Sequence, residues 1–107
     1  MKIFSVIRGD RWTQVFQMEI PGDPTFDWTG VTVTADLRTE AGASSALFTF
    51  TPGVAITPGL MTVTLDLPGL ASANLPDQCL GTVVVARTSP AFGPYTATQF
   101  KLNSHPR

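Results

Sequence analysis

Residues Val31 to Arg38 alternate without exception. Val31, Val33, Ala35 and Leu37 are apolar, while Thr32, Thr34, Asp36 and Arg38 are polar. A helix would smear this pattern around its circumference; a strand places every apolar side chain on one face. Leu60–Leu67 repeats the pattern, with Met61, Val63, Leu65 and Leu67 against Thr62, Thr64 and Asp66. Arg11–Ile20 does so less strictly: Trp12, Phe16, Met18 and Ile20 fall on one parity with Gln14, while Val15 interrupts the polar one. Segments of this kind must bury one face, so the chain is constrained to build sheets.

Turn signals separate the remaining apolar runs. Lys2–Ile7 is a first candidate strand, ended by Arg8-Gly9-Asp10. Pro21-Gly22-Asp23-Pro24 breaks the second, because two prolines in four residues cannot continue a ladder. Thr39–Ser45 reads as a flexible loop and Ala46–Thr51 as a strand with Phe48 and Phe50 on one face. Pro52-Gly53 and Pro58-Gly59 read as turns around a short apolar piece, Val54–Ile56. Cys79–Arg87 is apolar on both parities, the pattern of a central strand covered on two sides. Ser89–Pro94 reads as a loop, Tyr95–Leu102 as the last strand and residues 103–107 as a frayed tail. Gly69–Leu75 lies between two prolines and suits one short helical turn, near 69–75. About seven strands with turns every 8–12 residues predict one all-β domain over residues 1–107. The expected architecture is a single antiparallel β-sandwich of immunoglobulin-like type. The Cys…Trp…Cys framework of antibody domains is missing, and no internal repeat is visible.

Composition narrows the function classes. The chain has 107 residues, which allows one core and no second domain. Charged residues make up 14%, against ~25% in ordinary soluble domains, while 15 threonines supply much of the polarity. With 43% hydrophobic residues, this excludes intrinsic disorder. The seven basic residues are dispersed and the net charge is −1, so no nucleic-acid partner is expected. No apolar run approaches the ~18 residues of a membrane helix, and no membrane partner is expected. The apolar stretch after Met1 is too short for a signal-peptide core, which predicts a protein made and kept in a cytoplasm or exported by another route. The single Cys79 forms no internal disulfide.

Catalysis needs convergent titratable groups, and the sequence supplies none. His105 stands near the end of the chain. Cys79 opens an apolar strand without a neighbouring His and reads as a buried inert thiol. The eight carboxylates are spread out; Asp23 and Asp27 flank a turn, but their spacing matches no calcium loop. No phosphate-binding loop, nucleophile elbow or zinc motif occurs. The expectation is a protein that is not an enzyme and takes no cofactor or metal. Arg8-Gly9-Asp10 spells the integrin-binding tripeptide, but a tight turn is the default reading of Gly and Asp there. Most aromatics fall on inward faces and read as core. Phe26, Trp28 and Phe92 lie in loop-like stretches, where a ring either staples the loop to the core or anchors a partner.

The segment Arg8–Arg38 carries a resemblance. It runs from Arg8-Gly9-Asp10 and Trp12 through alternating apolar residues to Ile20. A Pro/Gly/Asp turn follows, then Asp27-Trp28-Thr29-Gly30-Val31 leads into the strand ending at Arg38. This resembles the amino-terminal domain of phage baseplate upper proteins and related immunoglobulin-like virion modules of tailed bacteriophages. The helical-turn segment Leu70–Leu75 before an apolar strand fits the same pattern. The resemblance is strong over the first third of the chain and loose over the rest. Such modules often head a longer chain with a fibre or receptor-binding part, and Pro90–Arg107 does not read as a regular ending.

What the resemblance implies is a structural role in a virion, at the tail, baseplate, neck or capsid surface. The partners would be other virion proteins or further copies in a symmetric ring or lattice. Open sheet edges can add to a neighbour's sheet, which makes the first strand, Lys2–Ile7, and the last, Tyr95–Leu102, candidate docking edges. The candidate interface residues are Lys2, Phe4, Val6, Arg8 and Asp10, with Phe26, Trp28, Phe92, Tyr95 and Phe100. A second reading is a carbohydrate- or receptor-binding sandwich at a host-contact surface, with Trp28, Phe92 and Tyr95 stacking on sugar rings.

Overall fold

A computed structural model describes residues 1–40 and 43–107. The loop expected over Thr39–Ser45 includes Ala41 and Gly42, which lie outside the described residues. The elements are β1 (Lys2–Ile7), β2 (Trp12–Met18), β3 (Thr32–Arg38), β4 (Phe48–Thr49), β5 (Gly53–Thr57), β6 (Leu60–Leu67), α1 (Gly69–Ser72), β7 (Gln78–Arg87) and β8 (Phe92–His105). They form two sheets, ordered β1-β8-β7-β3-β4 and β2-β6-β5. β2, β6 and β5 take the places of the B, E and D strands of an immunoglobulin sandwich, and β3, β7 and β8 those of C, F and G. The fold is thus the all-β sandwich that the alternation predicts.

The strict patterns translate directly into burial. Met61, Val63, Leu65 and Leu67 of β6 are fully buried, and the threonines between them are not. Opposite them, Cys79, Gly81, Val83 and Val85 of β7 face inward. Between the sheets, Trp12 and Phe16 stack on Phe100, at ring-centroid distances of 5.5 and 5.6 Å. Phe4 closes against all three. Phe100 pairs across the ladder with Gly81, and its ring fills the space a side chain would need there.

Several expectations are corrected. Eight strands form among the described residues, in keeping with the about seven expected; the piece read as lying between two turns, Gly53–Thr57, is itself a strand. As an edge strand it needs a ladder on one side only, so prolines at both flanks are tolerated. β4 shrinks to two residues, with the Phe50 N–H donating to the Ala35 carbonyl beyond it. The helical turn spans only Gly69–Ser72. β7 is covered on one face only; Leu80, Thr82 and Val84 are half-buried on the other.

The largest departure concerns the last strand. β8 runs from Phe92 to His105, so residues 103–105 are strand and not a frayed tail. From Phe100 onward it is not an edge, with β7 on one side and β1 on the other. The β1–β8 ladder is parallel, from Lys2↔Phe100 to Ile7↔His105, in a sandwich otherwise antiparallel. Ser104 is buried; its hydroxyl donates to the Pro76 carbonyl and accepts from Arg8 Nε. These bonds tie down a segment whose composition suggests fraying.

Candidate functional site

β1 pairs with β8 only from Phe100 onward. The preceding part of β8 has β7 on one side and no strand on the other. On the facing sheet, β2 is the terminal strand, so its outer edge is open as well. Where β1 stops at Lys2, a groove of about 880 Å³ opens between these two edges. Residues 15–20 form one wall, and Phe92, Tyr95, Ala97 and Thr98 of β8 form the other. Trp28, Val85 and Lys2 complete the lining. The volume falls within the ~300–1,000 Å³ range of ligand-sized clefts, and the wall is mixed, with aromatic and aliphatic side chains beside Lys2, Gln17, Glu19 and Thr98.

Local chemistry builds each wall. In β8, Val83 pairs with Thr98 and Val84 with Thr96, so Ala97 is an extra residue at a bulge. A bulge re-aims the side chains after it. It leaves Tyr95 (opposite Val85) and Phe100 (opposite Gly81) on the same inward face despite their odd spacing. The loop carrying Trp28 is held by Arg87. Its Nη1 donates to the Asp27 and Thr29 carbonyls at 2.7 and 3.1 Å, and its Nε to the Pro90 carbonyl at 2.9 Å. The same guanidinium lies 5.4 Å from the Phe26 ring centre and 5.8 Å from that of Phe92, within cation–π range. Phe26, Trp28, Phe92 and Tyr95 thus form one aromatic cluster, with Phe26 4.9 Å from Trp28 and Phe92 5.1 Å from Tyr95. Trp28 is 3% exposed, and its Nε1–H has no hydrogen-bond partner among the described residues.

The candidate interface residues divide. Lys2, Trp28, Phe92 and Tyr95 come together at the groove, and Phe26 packs behind them on a separate small cleft. Of these, Tyr95 is 58% exposed, whereas Trp28 acts as a staple. Val6 and Phe100 are core residues and Phe4 packs against that core, so none of the three presents a docking surface. Arg8 and Asp10 lie at the far end of β1 and are engaged within the fold. Arg8 Nε donates to the Leu75 carbonyl at 3.0 Å, and its Nη2 pairs with Asp77. Asp10 pairs with Arg107, and its carbonyl accepts the Ser72 hydroxyl at 2.6 Å. The Arg-Gly-Asp segment is a structural turn locked against α1.

The other titratable candidates are also accounted for. Cys79 is buried, with Sγ 3.5 Å from the Leu102 carbonyl, and burial pushes its thiol up to about 11. That holds it in the unreactive protonated form at neutral pH. Asp23 accepts from the Thr25 amide and hydroxyl, each at 3.3 Å. Asp27 accepts from Thr29, whose hydrogen bonds hold its carboxyl below the usual value. Among the described residues, no group of three or more His, Cys, Asp or Glu side chains is placed to hold a metal ion.

Sequence reasoning missed the β2 wall, Val15 to Ile20. A signal existed: Trp12–Met18 contains no charge. Its meaning depends on β2 being an edge, which is a property of the topology. No family model matches the chain, and no curated protein matches it.

Proposed function

We propose that the chain is a non-catalytic structural module of a tailed-bacteriophage virion, docking in multiple copies on a tail, baseplate, neck or capsid surface. The phage context rests on the resemblance of Arg8–Arg38. The docking role is supported chiefly by one observation, the open β2 edge, uncharged over Trp12–Met18, beside a groove that carries apolar side chains from both sheets. Sparse charge suits that role, because covering a threonine-rich face desolvates few ions. Weak single contacts become strong when many copies engage together. The engaged state of Asp10, Asp23, Asp27 and Asp77 and the raised Cys79 thiol support a non-catalytic reading. Mass spectrometry of purified particles tests the proposal: the protein is expected as a stoichiometric component. Its presence in infected cells and absence from particles would sink the idea.

The carbohydrate- or receptor-binding reading retains one specific support, the exposed Tyr95 ring beside Phe92 at the groove. Trp28 is too buried to stack on a sugar. A glycan array with the isolated domain tests it, and binding lost in Tyr95→Ala would favour this reading.

A further inference from the structure

Four strands end the two sheets, and three of their edges carry some protection. β4 has two residues, and β5 is closed in by Pro52 and Pro58. β1 begins with a charge at Lys2. Shortness, proline and charge are the usual means of blunting an edge. β2 is the least protected: its seven residues, WTQVFQM, hold no charge and no proline and keep an uninterrupted register against β6, with charges only beyond its two ends, at Arg11 and Glu19. Its outer edge faces no strand, so the backbone groups there are left to water, and another extended backbone can replace that water along the whole row.

The groove specifies more about its occupant. Residues of an added strand alternate between the groove and solvent, so every second one meets the accessible apolar lining, Val15, Phe92 and Tyr95. Lys2 and Glu19 also line the groove, and neither makes an ion pair among the described residues. We propose that this groove captures an extended segment of a neighbouring virion protein by strand addition to β2. The segment is apolar at alternate positions, uncharged in its middle, and acidic where it passes Lys2. This deepens the docking role and rests on it.

A randomised heptapeptide array probed with the intact protein tests the assignment. Bound sequences are expected to show apolar residues with period two and Asp or Glu toward one end. Tyr95→Ala should weaken the best peptide at least tenfold. Lys2→Glu should reverse the end preference from acidic to basic. Both side chains are exposed but each touches a ring, Lys2 that of Phe16 and Tyr95 that of Phe92, so peptide binding is compared at a temperature well below each variant's own unfolding midpoint. N-methylation of the peptide amides should abolish binding at alternate positions and be tolerated at those between, since an added strand pairs through every second amide. Overturning results would be no bound peptide, no period-two pattern, an unchanged preference in Lys2→Glu, or N-methylation without parity. Concentration-dependent self-association blocked by Tyr95→Ala would assign the groove to a second copy and also overturn the proposal. Any of these leaves the virion role standing if the protein is present in particles, because another face would then do the docking.

Discussion

Gly81 has no side chain because Phe100 occupies its place. A Cβ there would lie 2.1 Å from the Phe100 ring, which is itself clamped by Trp12 and Phe16. Gly81→Ala should therefore destabilise the fold by about 2–3 kcal/mol, the usual scale of overpacking. Phe100→Leu in the same chain should recover part of that loss, as read by urea unfolding. At Cys79, thiol reagents should react only on unfolding at pH 8. Its proton is held more tightly in the folded state, so its contribution is complete below the ordinary value of 9.0 and declines as pH rises toward about 11. Asp66 behaves in the opposite sense. Arg11 donates to it from Nε at 2.7 Å and Nη2 at 2.6 Å, holding its carboxyl below the ordinary 3.8. Its contribution is present above that pH and is lost as pH falls through the lowered value, so Asp66→Asn should flatten part of the acid unfolding slope. Core identity at this scale was legible wherever alternation was strict, as in Met61–Leu67. It was not legible for Phe100: the bulge at Ala97 shifts parity between Tyr95 and Phe100, and a bulge has no dependable signature in composition.

At the scale of elements, β8 organises the larger sheet. Its final residues pair with β1, and that pairing explains why the ending is ordered. Ending the chain after Leu102 would remove the partners of Ser5, Val6 and Ile7 and the Arg8–Ser104 contact. At ~1 kcal/mol net per hydrogen bond, a loss of roughly 3 kcal/mol is expected. Amide exchange in β1 should rise before exchange in β6 does. Arg87 plays the comparable part for the Phe26–Thr29 loop. Arg87→Lys keeps the charge but loses the fork that reaches several carbonyls at once, so it should restore little of what Arg87→Ala removes. Strands that repeat a local pattern, β3 and β6 above all, could be placed from their residues. The parallel β1–β8 ladder could not, since no local turn joins the two strands.

For the whole molecule, the decisive property is which edges remain open. Sparse charge suggests a surface suited to being covered, but it does not say where. The topology adds the place, since β2 ends its sheet and β1 leaves the first part of β8 uncovered. Lys2, Phe92 and Tyr95 were within reach of sequence reasoning as a strand start and two aromatics outside the strict patterns. Val15, Met18 and Ile20 look like ordinary strand residues until the sheet order is known. The most direct measurement is a cryo-EM reconstruction of the assembled particle at side-chain detail. Symmetry-related copies of this sandwich are expected, each with a neighbour's extended segment along β2 and beneath Tyr95. Particles without the sandwich, or copies docked with the β2 groove open to solvent, would contradict it.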